Sequence, residues 1–119
     1  MSMFKSLSHK MLAAMFISGG VNNFLRPERV APRVENAGMS QARQATALQG
    51  ALMLVGGTLL ALDIMPKLSA LLLAGTLVPT TLIGHAFWKE QNPANRTNQQ
   101  IQFFKNLAMF GGLLEVVFE

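Results

Sequence analysis

The stretch from residue 45 to residue 62, ATALQGALMLVGGTLLAL, contains no charged side chain. A second uncharged stretch, LSALLLAGTLVPTTLIGHAFW, follows from residue 68 to residue 88. Each is close to the roughly 20 helical residues that are needed to cross the hydrocarbon core of a bilayer. The two stretches therefore predict transmembrane helices over about residues 45–62 and 67–88, joined by a tight turn that contains Asp63 and Pro66.

Two further segments flank this pair. The first covers about residues 6–25 and is stopped by Pro27, and the last covers about residues 100–118. Lys5 and Lys10 precede an apolar run as in a signal peptide, but no A-x-A cleavage site follows, so we expect an uncleaved first helix. Residues 26–43 are predicted to form a polar loop that can contain an interfacial helical turn, and residues 89–98 a second polar loop. The sequence thus predicts an all-α, integral membrane four-helix bundle that forms one domain over residues 1–119.

The composition agrees with a membrane protein. Half of the residues are hydrophobic and 13% are charged, about half the charged share of a typical soluble domain. The net charge of +4 resides in loops and helix ends, without the basic stripe and interleaved aromatics of a nucleic-acid-binding surface. The chain has no cysteine, which excludes disulfides and thiol chemistry.

The distribution of lysine and arginine predicts the orientation. Four crossings place both termini and the turn at residues 63–67 on one side, with three basic residues, and the two polar loops on the other, with seven: Arg26, Arg29, Arg33, Arg43, Lys89, Arg96 and Lys105. Basic loops stay in the cytoplasm. We therefore expect both loops to be cytoplasmic and both termini to be extracytoplasmic.

Small residues in the apolar segments predict helix packing. Glycine lets helix backbones approach closely in lipid, where packing rather than hydrophobicity drives association. We expect four glycines to lie at helix–helix contacts: Gly56, Gly57, Gly111 and Gly112.

Polar residues within the membrane segments are the candidates for function, because their burial in hydrocarbon is costly. Antiparallel threading brings six of them to a similar depth beneath the two basic loops: His85, Lys105, Asn106, Asn22, Asn23 and Gln49. One interpretation is a site for an anionic or quinone-like headgroup. The other is that the amides and His85 form hydrogen bonds between helices while Lys105 extends towards lipid phosphate. No catalytic residue and no metal-ligand set is predicted, and quinone or lipid is the only ligand class suggested.

Three stretches carry a resemblance to a known family. Residues 75–88, GTLVPTTLIGHAFW, and residues 101–114, IQFFKNLAMFGGLL, contain the patterns G-H-x-F-W and F-x-K-N-L-x-x-x-G-G-L-L, and residues 14–20, AMFISGG, fit the first helix. In these patterns the chain resembles the DoxX family. The resemblance implies a four-helix protein of the bacterial inner membrane, in a family linked to thiosulfate:quinone oxidation and to membrane-associated oxidant-defence assemblies.

Three functions follow as hypotheses. The first is an accessory subunit of a larger membrane complex, redox or respiratory, whose partners are membrane lipids and other membrane-protein subunits rather than nucleic acid. The second is a stand-alone quinone-coupled oxidoreductase of the thiosulfate-oxidation type that uses His85 and Lys105. The third is a structural or lipid-organising membrane protein without a ligand. The absence of cysteine, metal-ligand sets and nucleotide motifs favours the first and third.

Overall fold

The computed structural model describes residues 2–119, and within that range the chain is helical without a β-strand. The all-α prediction is therefore confirmed. Two short 3-10 turns, Pro27–Arg29 and Phe87–Lys89, interrupt the loops. Four long α-helices and one short one make up the rest: α1 Met3–Leu25, α2 Ala31–Asn36, α3 Ala42–Ala61, α4 Pro66–Gly84 and α5 Pro93–Val117.

The helix bounds differ from the predicted ones mainly at α5. This helix begins at Pro93, about two turns earlier than expected. Proline suits a first helical position, and the preceding Asn92 side chain accepts hydrogen bonds from the amides of Ala94 and Asn95. These capping contacts stabilise the helix start at Pro93 although residues 93–100 are polar. At the other loop, α2 adds a short helix to the segment predicted as polar loop.

Helix α3 lies at the centre of the packing. It contacts α1 and α4 extensively, α5 packs mainly on α4, and α1 and α5 share only a narrow contact. The fully buried core side chains include Phe16, Leu60, Leu73 and Leu113. The narrow contact between α1 and α5 means that few residues close this side of the protein.

The closest approach of two helix backbones lies between α1 and α3. A Cβ atom built at Gly50 would lie 2.5 Å from the amide nitrogen of Phe24 and 2.8 Å from the carbonyl oxygen of Gly20. Neither backbone atom can move aside as a flexible side chain could. Gly20 and Gly50, which the sequence analysis did not select, therefore allow the tightest helix contact.

The four predicted packing glycines divide into two groups. A Cβ at Gly56, Gly57 or Gly112 would lie 2.9–3.1 Å from a leucine or isoleucine side chain of a neighbouring helix. A Cβ at Gly111 would meet nothing within 4 Å, so the prediction for Gly111 is wrong. Successive helical residues point about 100° apart, and α5 is rotated so that Gly112 faces α1 while Gly111 faces outward.

The outer surface is apolar on every long helix. Exposed large hydrophobic side chains include Met11, Phe24, Leu48, Val55, Leu71, Leu82, Ile101, Phe104, Leu107 and Leu114. Soluble monomers rarely expose contiguous apolar surface on this scale. By length and composition, Ala42–Ala61 and Pro66–Lys89 are apolar enough to cross a membrane, with mean hydropathies of 1.3 and 1.6. Both observations indicate a membrane protein.

Candidate functional site

A cavity of about 440 Å³ lies between the long helices beneath the first polar loop. Its lower part is apolar and includes the buried side chains of Phe16, Met53 and Leu77. Its upper part contains five of the six polar residues predicted to share one layer, namely Asn23, Gln49, His85, Lys105 and Asn106. The volume is within the range of small-molecule binding pockets.

Asn22 does not belong to this layer. Its side chain is exposed and does not line the cavity, so including it among the candidate site residues was wrong. Asn23, the next residue, lines the cavity, and its amide contacts the sulfur of Met53 at 3.9 Å. Neighbouring residues of one helix point in different directions, and α1 is rotated so that Asn23 faces inward.

Two of the polar residues join helices. The Gln49 amide on α3 donates to the carbonyl oxygen of Thr76 on α4 at 3.0 Å and also contacts the Thr80 hydroxyl. The Asn106 amide on α5 donates to the Thr81 hydroxyl at 3.1 Å. These bonds satisfy polar groups beside Pro79, whose ring removes a backbone donor from α4. Gln49 and Asn106 therefore stabilise the helix packing around the cavity.

The remaining polar residues lie at the mouth of the cavity. His85 follows the last residue of α4, and its Nδ1 atom lies 2.7 Å from the Gln99 side-chain oxygen at the start of α5. Lys105 is half-buried and donates to the Gln102 side-chain oxygen at 2.7 Å. His85 and Lys105 line the same cavity without bonding to each other.

Sequence reasoning missed two residues of this site, Arg33 and Thr46. Arg33 on α2 lines the cavity mouth and donates to the carbonyl oxygen of Gly84 at 3.3 Å. Thr46 is 4% exposed, and its hydroxyl has no hydrogen-bond partner among residues 2–119. Thr46, Gln49 and Met53 follow the i, i+3, i+7 spacing of one helix face, so this spacing is the signal that could have identified Thr46.

A second polar cluster lies at the opposite end of the protein. His9 on α1 is completely buried, with Nδ1 2.8 Å from an Asp63 oxygen and Nε2 3.0 Å from a Glu119 oxygen. Each ring nitrogen of His9 therefore lies within hydrogen-bonding distance of a carboxylate, so the imidazole links α1 to the turn after α3 and to the end of the chain. Ser6 and Lys10 complete the cluster by donating to the other Asp63 oxygen at 2.7 and 3.3 Å.

The turn between α3 and α4 positions Asp63. The amide of Ile64 returns to the carbonyl oxygen of Leu59 at 2.9 Å, and Asp63 takes a left-handed conformation with φ of 58°. Aspartate tolerates this conformation better than most residues. The turn thereby directs the carboxylate towards α1.

The hydrogen bond from Ser6, followed by those from His9 and Lys10, lowers the pKa of Asp63 from 3.8 to about 2. The unfolded chain keeps the ordinary value, so ionised Asp63 stabilises the fold above pH 3.8, and this contribution is lost as the pH falls towards 2. We expect the melting temperature in detergent to fall between about pH 4 and 2, and to fall less in an Asp63→Asn variant. Equal slopes in the two proteins would contradict this role of Asp63.

Comparison with known proteins identifies one family. The family model named DoxX matches residues 10–86, which is more than half of the 119 residues. The match includes α1 from Lys10 onward and all of α3 and α4, and it ends at Ala86. No curated protein and no solved structure matches the chain.

Proposed function

Because this chain belongs to the DoxX family, we propose that it is an accessory subunit of a redox complex in the bacterial inner membrane. Within that complex, its cavity holds an amphipathic ligand with an anionic or quinone-like headgroup. The four long helices cross the bilayer, and the cavity opens at the level of the lipid headgroups. The family and the two apolar helices support the membrane location.

The observation that carries the proposal is the division of the cavity into a polar mouth and an apolar interior. His85, Lys105 and Arg33 line the mouth, and Phe16 and Leu77 line the interior. Along α4, His85 and Leu77 are eight residues apart, which corresponds to about 12 Å. This depth accommodates a headgroup with the first part of an apolar chain.

The test is purification of the full-length protein from its native membrane in a mild detergent, with identification of partners and extracted ligands by mass spectrometry. We expect a flavin-, haem- or quinone-dependent partner and an amphipathic ligand in stoichiometric amount. Reduction of quinone by the isolated protein would instead establish a stand-alone oxidoreductase. An empty cavity and the absence of redox partners would leave a structural role and contradict the proposal.

A cavity-filling variant tests whether the ligand binds in the cavity or elsewhere on the protein. Ala45 lines the cavity, so Ala45→Phe should displace the ligand while the protein still assembles. Ala108→Phe is the matched control, because Ala108 is exposed on the outer face of α5. Loss of ligand from both variants, or from neither, would show that the ligand binds elsewhere.

The orientation is tested by labelling. We propose that both polar loops face the cytoplasm and both termini the outside, since seven of ten basic residues lie on the loop side. A membrane-impermeant maleimide should label Ser2→Cys but not Asn95→Cys on intact cells. Labelling of Asn95→Cys alone would reverse the orientation.

A further inference from the structure

The charges around the cavity are all of one sign. Lys105 and Arg33 line it together with His85, and both cations lie close enough to the His85 ring for their charges to act on it. Among residues 2–119, no aspartate or glutamate lines the cavity, and neither Lys105 nor Arg33 is in a salt bridge. Lys105 is half-buried, whereas Arg33 is exposed. A half-buried cation near a bilayer is costly without a counter-charge, so Lys105 favours an anion in the cavity.

The Thr46 hydroxyl is a second, independent indication of a ligand. It is buried, lines the cavity and lacks a hydrogen-bond partner in the described part of the chain. Buried polar groups are almost always hydrogen-bonded. A headgroup oxygen that enters the cavity can accept a hydrogen bond from this hydroxyl while Lys105 and Arg33 neutralise its charge.

The surroundings of the mouth match the level of lipid headgroups. Phe87, Trp88 and Phe103 pack edge to face with centroid separations of 5.3–5.7 Å. The Trp88 side chain is about half exposed. Aromatic residues of this kind concentrate at membrane–water interfaces. An amphiphile can therefore reach the cavity with its headgroup already at the depth of Lys105.

We propose that the cavity binds an anionic amphiphile, with a phosphate or carboxylate headgroup at Lys105, Arg33 and Thr46 and an apolar chain between Phe16 and Leu77. This inference rests on the proposed ligand-binding function and narrows it from an amphipathic ligand to an anionic one. Within the described residues, one ligand would thus give Lys105 and Arg33 a counter-charge and the Thr46 hydroxyl a hydrogen-bond partner.

The experiment compares lipids of different charge on the full-length protein in neutral detergent micelles. Native mass spectrometry measures the binding of phosphatidylglycerol, phosphatidylcholine and a neutral quinone, and inorganic phosphate is added as a competitor. We expect phosphatidylglycerol to bind at least about tenfold more tightly than phosphatidylcholine. Both lipids carry a phosphate, but only the phosphatidylglycerol headgroup has a net negative charge that can neutralise the two cations. Inorganic phosphate alone should not displace it.

Matched variants assign the effect to the cavity. Lys105→Gln and Arg33→Gln should each weaken the binding of phosphatidylglycerol about tenfold, whereas Lys105→Arg should retain this binding. Arg43→Gln is the control, because Arg43 is an exposed basic residue of the same side that does not line the cavity. Thr46→Val should weaken the binding of phosphatidylglycerol. It should not lower the stability of the lipid-free protein, because it removes only an unpaired hydroxyl.

The outcomes separate this inference from the proposed function. Equal binding of the two lipids, unchanged by the charge variants, would overturn the anionic headgroup. If the quinone still bound in that case and were excluded by Ala45→Phe, the ligand-binding function would stand. Displacement by inorganic phosphate would show recognition of a free anion and would overturn the amphiphile.

Discussion

Replacing Gly50 with alanine is expected to lower the free energy of unfolding by roughly 2–3 kcal/mol, as for overpacked cores. The added methyl group would lie 2.5 Å from the backbone nitrogen of Phe24 and 2.8 Å from the carbonyl oxygen of Gly20. Relief requires α1 and α3 to separate, because no flexible side chain is present to move. This separation would loosen the most extensive helix contact in the protein.

Thermal unfolding in detergent measures this effect, with Gly111→Ala and Gly75→Ala as matched controls. Both control positions are helical, and a Cβ at either would meet nothing within 4 Å. They should unfold within a degree or two of the parent protein. If Gly50→Ala were as stable as these controls, the close approach of α1 and α3 would not exist in solution.

Replacing His9 with alanine is expected to be the most damaging change among the polar residues. Among residues 2–119, it would remove the only group that contacts both Asp63 and Glu119, and the two carboxylates would lose their shared partner. Breaking one side of a buried ion pair is strongly destabilising because the partner charge is left uncompensated. We expect the melting temperature to fall by roughly 5–10 °C.

The second histidine of the chain provides the control for this prediction. His85 is half-buried and has one side-chain hydrogen bond, to Gln99, so His85→Ala should lower the melting temperature much less. Its expected effect is on ligand binding instead. If the two variants lost equal stability, the contacts of His9 would contribute no more than those of an ordinary half-buried histidine.

The cluster around His9 is a site that the sequence analysis did not predict, although its segments are predicted to lie on the same side. Threading already placed the N-terminal segment, the turn at Asp63 and the end of α5 on one side of the membrane. The chain has only two histidines and six acidic residues, so a meeting of His9 with Asp63 and Glu119 could have been proposed. His85 differs from His9 in lying inside an apolar run, where a polar residue is the clearer sequence signal.

The sequence by itself determined the all-helical class and the positions of the apolar segments, and it placed five of the six predicted polar residues along their helices at the level of one cavity. These properties depend on local composition and on helical rise, which do not require knowledge of neighbouring helices. The suspected family is likewise confirmed by the match over residues 10–86, which contains residues 14–20 and all but the last two of residues 75–88, whereas residues 101–114 lie outside it.

Only the tertiary structure decided how each helix is rotated about its axis. The sequence predicts Asn22 and Asn23 at nearly the same height along α1, and Gly111 and Gly112 at nearly the same height along α5. In each pair, however, one residue faces inward and the other outward. The rotation is set by packing: Gly50 meets the α1 backbone and Gly112 meets Leu12. Packing depends on all helices at once. The first polar loop also contains the short helix α2, which brings Arg33 to the cavity. The sequence periodicity of α3 and α4 does not predict this position of Arg33.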